Sequence, residues 1–434
     1  MQNATLWRTL LGVEKTVIES IEYDEDEQVL LAAVRPTRRA SGRCGRCQRR
    51  SPSFDRGEGR RRWRALDLGT TQVWLEAEAP RVECRTHGPT VAAVPWARHA
   101  AGHTRVFDEQ VAWLATQCSK TAVTQLMRVA WRTVGAIITR VWADVEASTD
   151  RFAGLRRIGI DEISYKKGHK YLMVVVDHDS RRLVWAAPGR NSATVQEFFD
   201  LLGPQRCAQI THVSADGAGY IDTIVAATCP AAVRVADPFH VVKWTTDALD
   251  EVRRAAWNDA RALARREPKR APGRPPTWPR PRPRPGSERV KALTRARYSL
   301  WKNPENLTED QQAQLAWIAV TDPRLYRAYL LKEGLRLIFT MPHTAAAEAL
   351  DRWISWARRC RIPSFVKLQK RIVKHRVKIL AAIEHHLSNG LIESTNTKIR
   401  LITRIAFGFR SPEALIALAM LNLGGHRPTL PGRL

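Results

Sequence analysis

Acidic residues are scarce in this 434-residue chain: 43 Asp and Glu stand against 70 Lys and Arg, a formal charge of +27 and a pI near 10.6. That imbalance argues against a chain without a polyanionic partner and points to nucleic acid. Cysteine is sparse as well; seven residues in a chain of this length are no disulfide framework. No apolar run approaches the roughly eighteen residues of a membrane span. The opening stretch MQNATLWRTLLGVEKTVIE has no charged start, long apolar centre or small-residue cleavage site. These absences predict a cytoplasmic, nucleoid-associated protein without a membrane partner.

Hydrophobic periodicity divides the chain into zones. Residues 1–100 carry strand-like runs. Residues 103–148 read as three short helices, FDEQVAWLATQC, SKTAVTQLMR and WRTVGAIITRVW. Ser119 is placed to cap the second, and Arg132 and Thr133 open the third. This spacing suits a helix-turn-helix that reads bases from the start of its last helix. Ala130 is a poor cap, and a plain helical bundle fits the pattern too. From 155 to 243 strands alternate with helices, and from 244 to 385 the chain is helical and basic. The stretch APGRPPTWPRPRPRPG, residues 271–286, forbids helix and sheet interior and reads as an extended linker. A final helical segment follows.

Two pairs, Cys44-x-x-Cys47 and Cys84-x-x-His87, have the spacing at which a tight turn grips one metal ion. Together they offer four ligands for tetrahedral Zn²⁺ with no open position, hence a structural rather than a catalytic site. Cys118, Cys207, Cys229 and Cys360 are scattered and read as inert core residues.

The stretch IGIDEISYKKGHKYLMVVVD, residues 158–177, is two apolar runs joined by a basic segment, with Asp161 closing the first and Asp177 the second. A carboxylate at the tip of a buried strand is costly unless paired or coordinated. A second strand, ITHVSAD, ends on Asp216, and parallel strands bring their carboxyl ends side by side. A third carboxylate is available from Glu393 in SNGLIESTNTKIRLITRIAFGFRS. On a helix, Glu393, Asn396, Thr397, Arg400 and Arg404 form one polar stripe, while Ile392, Ile399 and Ile402 or Ala406 point elsewhere. Such a stripe suits metal and phosphate, although a lone Glu or a strand-end Asp is often only solvated or a cap.

The motifs GIDEISYKKGHKY, VSADGAGY, ADPFHVVK and SNGLIESTNTKIRLITRIAFGFR, with the cysteine pairs and the helical zone, cover nearly the whole chain. It resembles the ISL-three family of bacterial insertion-sequence transposases, of the DDE class. The resemblance implies an α/β ribonuclease-H-like catalytic core (152–243 and 386–425) with a large helical insertion (244–385), preceded by a zinc-ribbon-like domain (1–100) and a helix-turn-helix domain (103–148). It implies Asp161, Asp216 and Glu393 as a catalytic triad holding Mg²⁺ or Mn²⁺, alongside structural Zn²⁺. Asp237 and His240 resemble an accessory C/D-x-x-H motif; hydrogen bonding that only orients the core is the plainer alternative. The implied activity is cleavage at terminal inverted repeats and joining to target DNA by two-metal phosphoryl transfer, by a homodimer or higher homo-oligomer on DNA. Arg132, Thr133, Asn396, Arg400 and Arg404 are the expected DNA contacts. A non-catalytic DNA-binding regulator and a metal-dependent nuclease on the same core are the rival readings; the three carboxylates argue against the first and the added recognition modules against the second.

Overall fold

The computed structural model describes residues 2–215, 219–266 and 285–433. Asp216 and residues 271–284 of the proline-arginine stretch lie outside the described residues. The chain forms two compact units, one of residues 1–153, 182–184 and 397–434, the other of residues 154–181 and 185–396. No described helix is long and apolar enough to cross a membrane.

In the first unit, helix α1 (Gln2–Leu10) precedes strands β1 (Thr16–Asp24), β2 (Val29–Pro36), β3 (Ser53–Asp55), β4 (Arg60–Arg64), β5 (Gln72–Glu78), β6 (Arg81–Cys84) and β7 (Gly88–Val91). One sheet has the order β1-β2-β5-β4; β3, β6 and β7 make a smaller one. The period-2 rule is visible in β5, where Val73, Leu75 and Ala77 are buried and alternate with more exposed residues. They pack in a core with Trp63 and Trp96, whose rings meet edge to face at 5.5 Å.

Three helices follow: α2 (Arg105–Gln117), α3 (Lys120–Met127) and α4 (Trp131–Ser148). Thr104 caps α2 and Ser119 caps α3, each side chain accepting a backbone N–H, whereas Ala130 makes no such bond for α4. The turn between α3 and α4 needs a left-handed residue, and Arg128 supplies it at φ +52° in the absence of glycine. Its guanidinium bonds the Thr70 carbonyl at 2.6 Å and the Asp67 carboxylate, contacts that offset the strained backbone. Within the helical group, buried Asp108 is paired with Arg140 and Arg98, as a charge removed from water requires.

The second unit is built on a five-stranded sheet. Strands β8 (Arg157–Lys166), β9 (Lys170–Asp177) and β10 (Arg182–Pro188) are followed by helices α5 (Ser192–Leu202) and α6 (Pro204–Cys207), β11 (His212–Ala215), α7 (Gly219–Thr228) and β12 (Val233–Ala236). The order is β10-β9-β8-β11-β12, with β9 antiparallel to β8, and β11 parallel to both β8 and β12. Helix α8 (Pro238–Arg266) leaves the sheet at once, so Asp237 and His240 stand at a strand-to-helix junction. Helices α9 (Pro285–Arg295), α10 (Arg297–Trp301), α11 (Glu309–Thr321), α12 (Pro323–Ile338), α13 (His343–Arg359), α14 (Pro363–Lys374) and α15 (Arg376–His385) build the following helical region around Leu300, Leu335, Leu350 and Phe365. Asp222 on α7 receives Arg234 of β12 at 2.6 Å and also Lys378 of α15, which ties the last of these helices back to the sheet. Two further helices, α16 (Gly390–Ile405) and α17 (Pro412–Leu423), complete the chain; the boundary between the units falls within α16.

Candidate active site and metal-binding residues

Three parallel strands share one rung: Ala215 of β11 is paired with Ile160 of β8 on one side and Ala236 of β12 on the other. In each strand the next residue in the chain is an aspartate: Asp161, Asp216 and Asp237. Asp216 lies outside the described residues. For Asp161 the structure differs from the expected strand tip. β8 runs on to Lys166 as a ribbon with β9, so Asp161 sits mid-strand, where the ladder to β11 stops.

Helix α16 brings the remaining groups. Asn389 precedes it, and its carbonyl accepts the Glu393 N–H at 2.8 Å. The Asp237 carboxylate, 3% exposed, accepts the Asn389 backbone N–H at 3.1 Å and His240 Nδ1 at 2.7 Å. Burial acts to raise the Asp237 carboxyl, but the His240 and Asn389 donors outweigh it and hold its pKa below the ordinary value. Ligand-type atoms of Asp237, His240 and Glu393 lie within 4.8 Å of one another. One turn after Glu393, Asn396 donates its side-chain amide to Asp161 at 2.8 Å.

Asn396 corrects an expectation. The polar stripe makes it a DNA contact, but it is 3% exposed and spends its amide on Asp161. Arg400 and Arg404 of the same stripe are exposed, and Ile392, Ile399, Ile402 and Ala406 are buried. Sequence reasoning misses Asn389, although it stands in the SNG motif. Among the described residues, both its side-chain polar atoms and Asn396 Oδ1 are buried without a hydrogen-bond partner. Orphaned amide groups beside half-buried carboxylates fit a hydrated divalent cation, whose retained waters need such partners. Asp177 has a different role: it accepts the N–H groups of Asp179 (3.0 Å) and Ser180 (3.2 Å) and closes a turn.

In the first unit, Cys44, Cys47, Cys84 and His87 come together from the turn before β3 and the β6–β7 hairpin, their ligand atoms within 4.8 Å of one another. Cys47 Sγ lies 3.7 Å from Cys84 Sγ, and His87 Nδ1 lies 3.6 Å from the Cys44 and Cys84 sulfurs. Tetrahedral zinc with bonds of about 2.3 Å to sulfur and about 2.05 Å to nitrogen requires edges of roughly 3.8 and 3.6 Å. The donor set fits the ion. Backbone N–H groups of Thr86 and His87 help lower the Cys84 thiol to about 6, favouring the thiolate that binds metal. Cys207, Cys229 and Cys360 are buried and free, and Cys118 is half-buried. At the start of α4, Arg132 is exposed and Thr133 half-buried.

A cluster of three cysteines and a histidine, a three-helix unit and the grouping of Asp237, His240 and Glu393, in a chain this basic, point to a metal-using enzyme of DNA. Residues 158–419 match the family described as "Transposase", residues 92–142 the "Helix-turn-helix domain of transposase family ISL3", and residues 40–87 the "zinc-finger of transposase IS204/IS1001/IS1096/IS1165". The chain is similar to the transposase for insertion sequence element IS1557 of Mycobacterium tuberculosis, in strains CDC 1551 and H37Rv, at 66% identity over 100% of this chain and 98% of theirs. It is also similar to the transposase for insertion sequence element IS1001 of Bordetella parapertussis, at 27% identity over 95% of this chain and 96% of that one. The chain belongs to the ISL3 family of insertion-sequence transposases. It is therefore a DNA-binding enzyme, and the family implies zinc in the ribbon and a divalent metal in the catalytic domain.

Proposed function

We propose that Asp161, Asp216 and Glu393 form the catalytic carboxylate set of a ribonuclease-H-like core. The enzyme would cut DNA at the element's terminal inverted repeats and join the freed 3′ ends to target DNA, acting as a homodimer or higher oligomer. The observation that carries this reading is the Asn396–Asp161 hydrogen bond, which sets the helix of Glu393 against the strand of Asp161. The sheet order β10-β9-β8-β11-β12, with a parallel β8-β11-β12 segment, supports the core assignment.

Asp161, Asp216 and Glu393 would hold Mg²⁺ or Mn²⁺, hard cations suited to carboxylate oxygen. Bound there, the ions would supply Lewis-acid polarisation of the scissile phosphate and of the attacking oxygen. Asp237 acts as a brace: one oxygen accepts from the Asn389 N–H and the other from His240. It thereby fixes the start of α16 and the height of Glu393. Asn396 holds Asp161 in one orientation, so the carboxylates meet the substrate without rearranging. Arg400 and Arg404 lie on the exposed face of the same helix and contact phosphate, while Arg132 and Thr133 contact bases at the terminal repeats. Cys44, Cys47, Cys84 and His87 hold a structural zinc ion.

Pre-cleaved ends carrying the element's terminal repeat, incubated with a second plasmid and Mg²⁺, test the reading. Covalent joining of the 3′ ends to the plasmid is expected. Repeated nicking without joining would mark a nuclease instead.

A further inference from the structure

The basic segment between β8 and β9 has no part in the chemistry described so far. Apolar packing of this ribbon ends at the rung Ile163–Leu172, both fully buried or nearly so. Beyond it the ribbon continues through Lys166 and Lys170, and no described residue pairs with β8 on its β11 side past Ile160. The register slips between Ser164 and Lys166, a bulge that adds twist and re-aims the tip. Gly168 at φ +84° and His169 at φ +58° close the loop. Lys166, Lys167, His169 and Lys170 are all exposed. None of the three lysines forms an ion pair among the described residues. At the base of the tip, Arg190 stacks its guanidinium on Tyr171 at 4.3 Å and pairs with Glu162 at 3.9 Å.

A two-stranded overhang of this kind has no fully buried residue and gathers like charges that repel one another. It is marginal as a structural element and well suited to a polyanion. Its position fixes which part of the polyanion it meets. Lys166 is five residues beyond Asp161 along one strand, about 17 Å at the rise of an extended chain. A duplex advances about 3.4 Å per base pair, so a ribbon lying along the duplex reaches about five base pairs from a phosphate held at Asp161.

We propose that the β8–β9 ribbon is a phosphate clamp: Lys166, Lys167 and Lys170 grip the DNA backbone about five base pairs from the scissile phosphate. This rests on the assignment of Asp161 to the catalytic site. Three contacts of this type read no bases and fix the register of the duplex over the carboxylates.

The test uses the full chain and its Lys166→Gln/Lys167→Gln/Lys170→Gln variant, titrated by fluorescence anisotropy without added divalent cation. The probe is a duplex spanning the element's own end, with base sequence unchanged throughout. In two further duplexes, three phosphates centred five base pairs from the cleavage position are replaced by neutral methylphosphonates, on the element side or on the flanking side. On the unmodified duplex the variant's log–log salt slope is expected to fall by roughly 2 to 3, at about 0.9 per phosphate neutralised. One modified duplex should weaken wild type by about tenfold or more and leave the variant almost unaffected; which one shows whether element or flank is held. An unchanged salt slope overturns the proposal, as does the failure of both patches to weaken wild type more than the variant. Failure of the catalytic assignment is seen separately, as cleavage by a Glu393→Gln protein, and leaves these binding curves as they are.

Discussion

The side-chain amide of Asn396 donates a 2.8 Å hydrogen bond to the Asp161 carboxylate, joining residues 235 positions apart. If Asp161 holds metal as proposed, this buried amide would position the carboxylate rather than contact DNA. Replacing Asn396 by Ala should slow single-turnover cleavage by about ten- to a hundredfold, the worth of a hydrogen bond to a charged group. DNA affinity in the absence of metal should be unchanged. Cleavage at the wild-type rate would show that Asp161 needs no brace.

The zinc assignment is checked by composition and stability together. Native protein should contain one zinc ion per chain, released by chelators with a fall in the first unit's stability. Cys84→Ser should lower that stability and weaken binding to terminal-repeat DNA, while non-specific cleavage stays detectable. Absence of zinc from native protein would contradict the assignment, whatever the effect of the substitution.

Base reading and phosphate binding should separate by site. Arg132→Ala at the start of α4 should reduce affinity for terminal-repeat DNA and spare unrelated DNA. Neutralising exposed Arg265 and Arg266 at the end of α8 should weaken binding to every duplex, lowering the log–log salt slope by about 0.9 for each phosphate that is no longer neutralised. Parallel titrations of the two variants on both DNAs check the division; an equal drop in affinity on both from Arg132→Ala would remove α4 from recognition.

Asp222 should make stability pH-dependent. Burial acts to raise its carboxyl, but Lys378 and Arg234 outweigh that and lower it below its ordinary value of 3.8. A lowered folded pKa means stability that is fully present above 3.8 and lost as pH falls through the folded value. In urea unfolding, wild type should exceed Asp222→Asn by a constant margin from neutral pH down to mild acid, with the margin closing only below 3.8. A margin that grows on acidification would have the wrong sign.

Much of this arrangement is legible from residue order. The alternation of strands and helices from 155 to 243, the Ser119 cap, and the buried face of α16 all follow from local patterns. So does the convergence of Cys44, Cys47, Cys84 and His87, each pair being borne on a tight turn. Local pattern fails where an interaction spans the chain. Nothing in the helical stripe of Glu393, Asn396, Thr397, Arg400 and Arg404 tells which polar residue is turned inward, since that depends on where β8 packs. The apolar run IGI likewise ends before the strand does: past the buried Ile163–Leu172 rung the ribbon is held by backbone pairing with β9. Asp237 is visible at a strand end, but its bond to the Asn389 N–H, 152 positions on, is not.

The most direct measurement is single-turnover cleavage of terminal-repeat DNA in Mg²⁺ by Glu393→Gln, with Asp177→Asn as control. Glutamine keeps the size and hydrogen-bonding capacity of Glu393 but removes the charge that would hold metal. Asp177, a turn-closing acceptor at the end of β9, should be dispensable for chemistry even if its replacement costs some stability. The account predicts that Glu393→Gln binds DNA as wild type does yet loses cleavage and joining by several orders of magnitude, while Asp177→Asn remains active. Cleavage and joining by Glu393→Gln at near wild-type rates would contradict it.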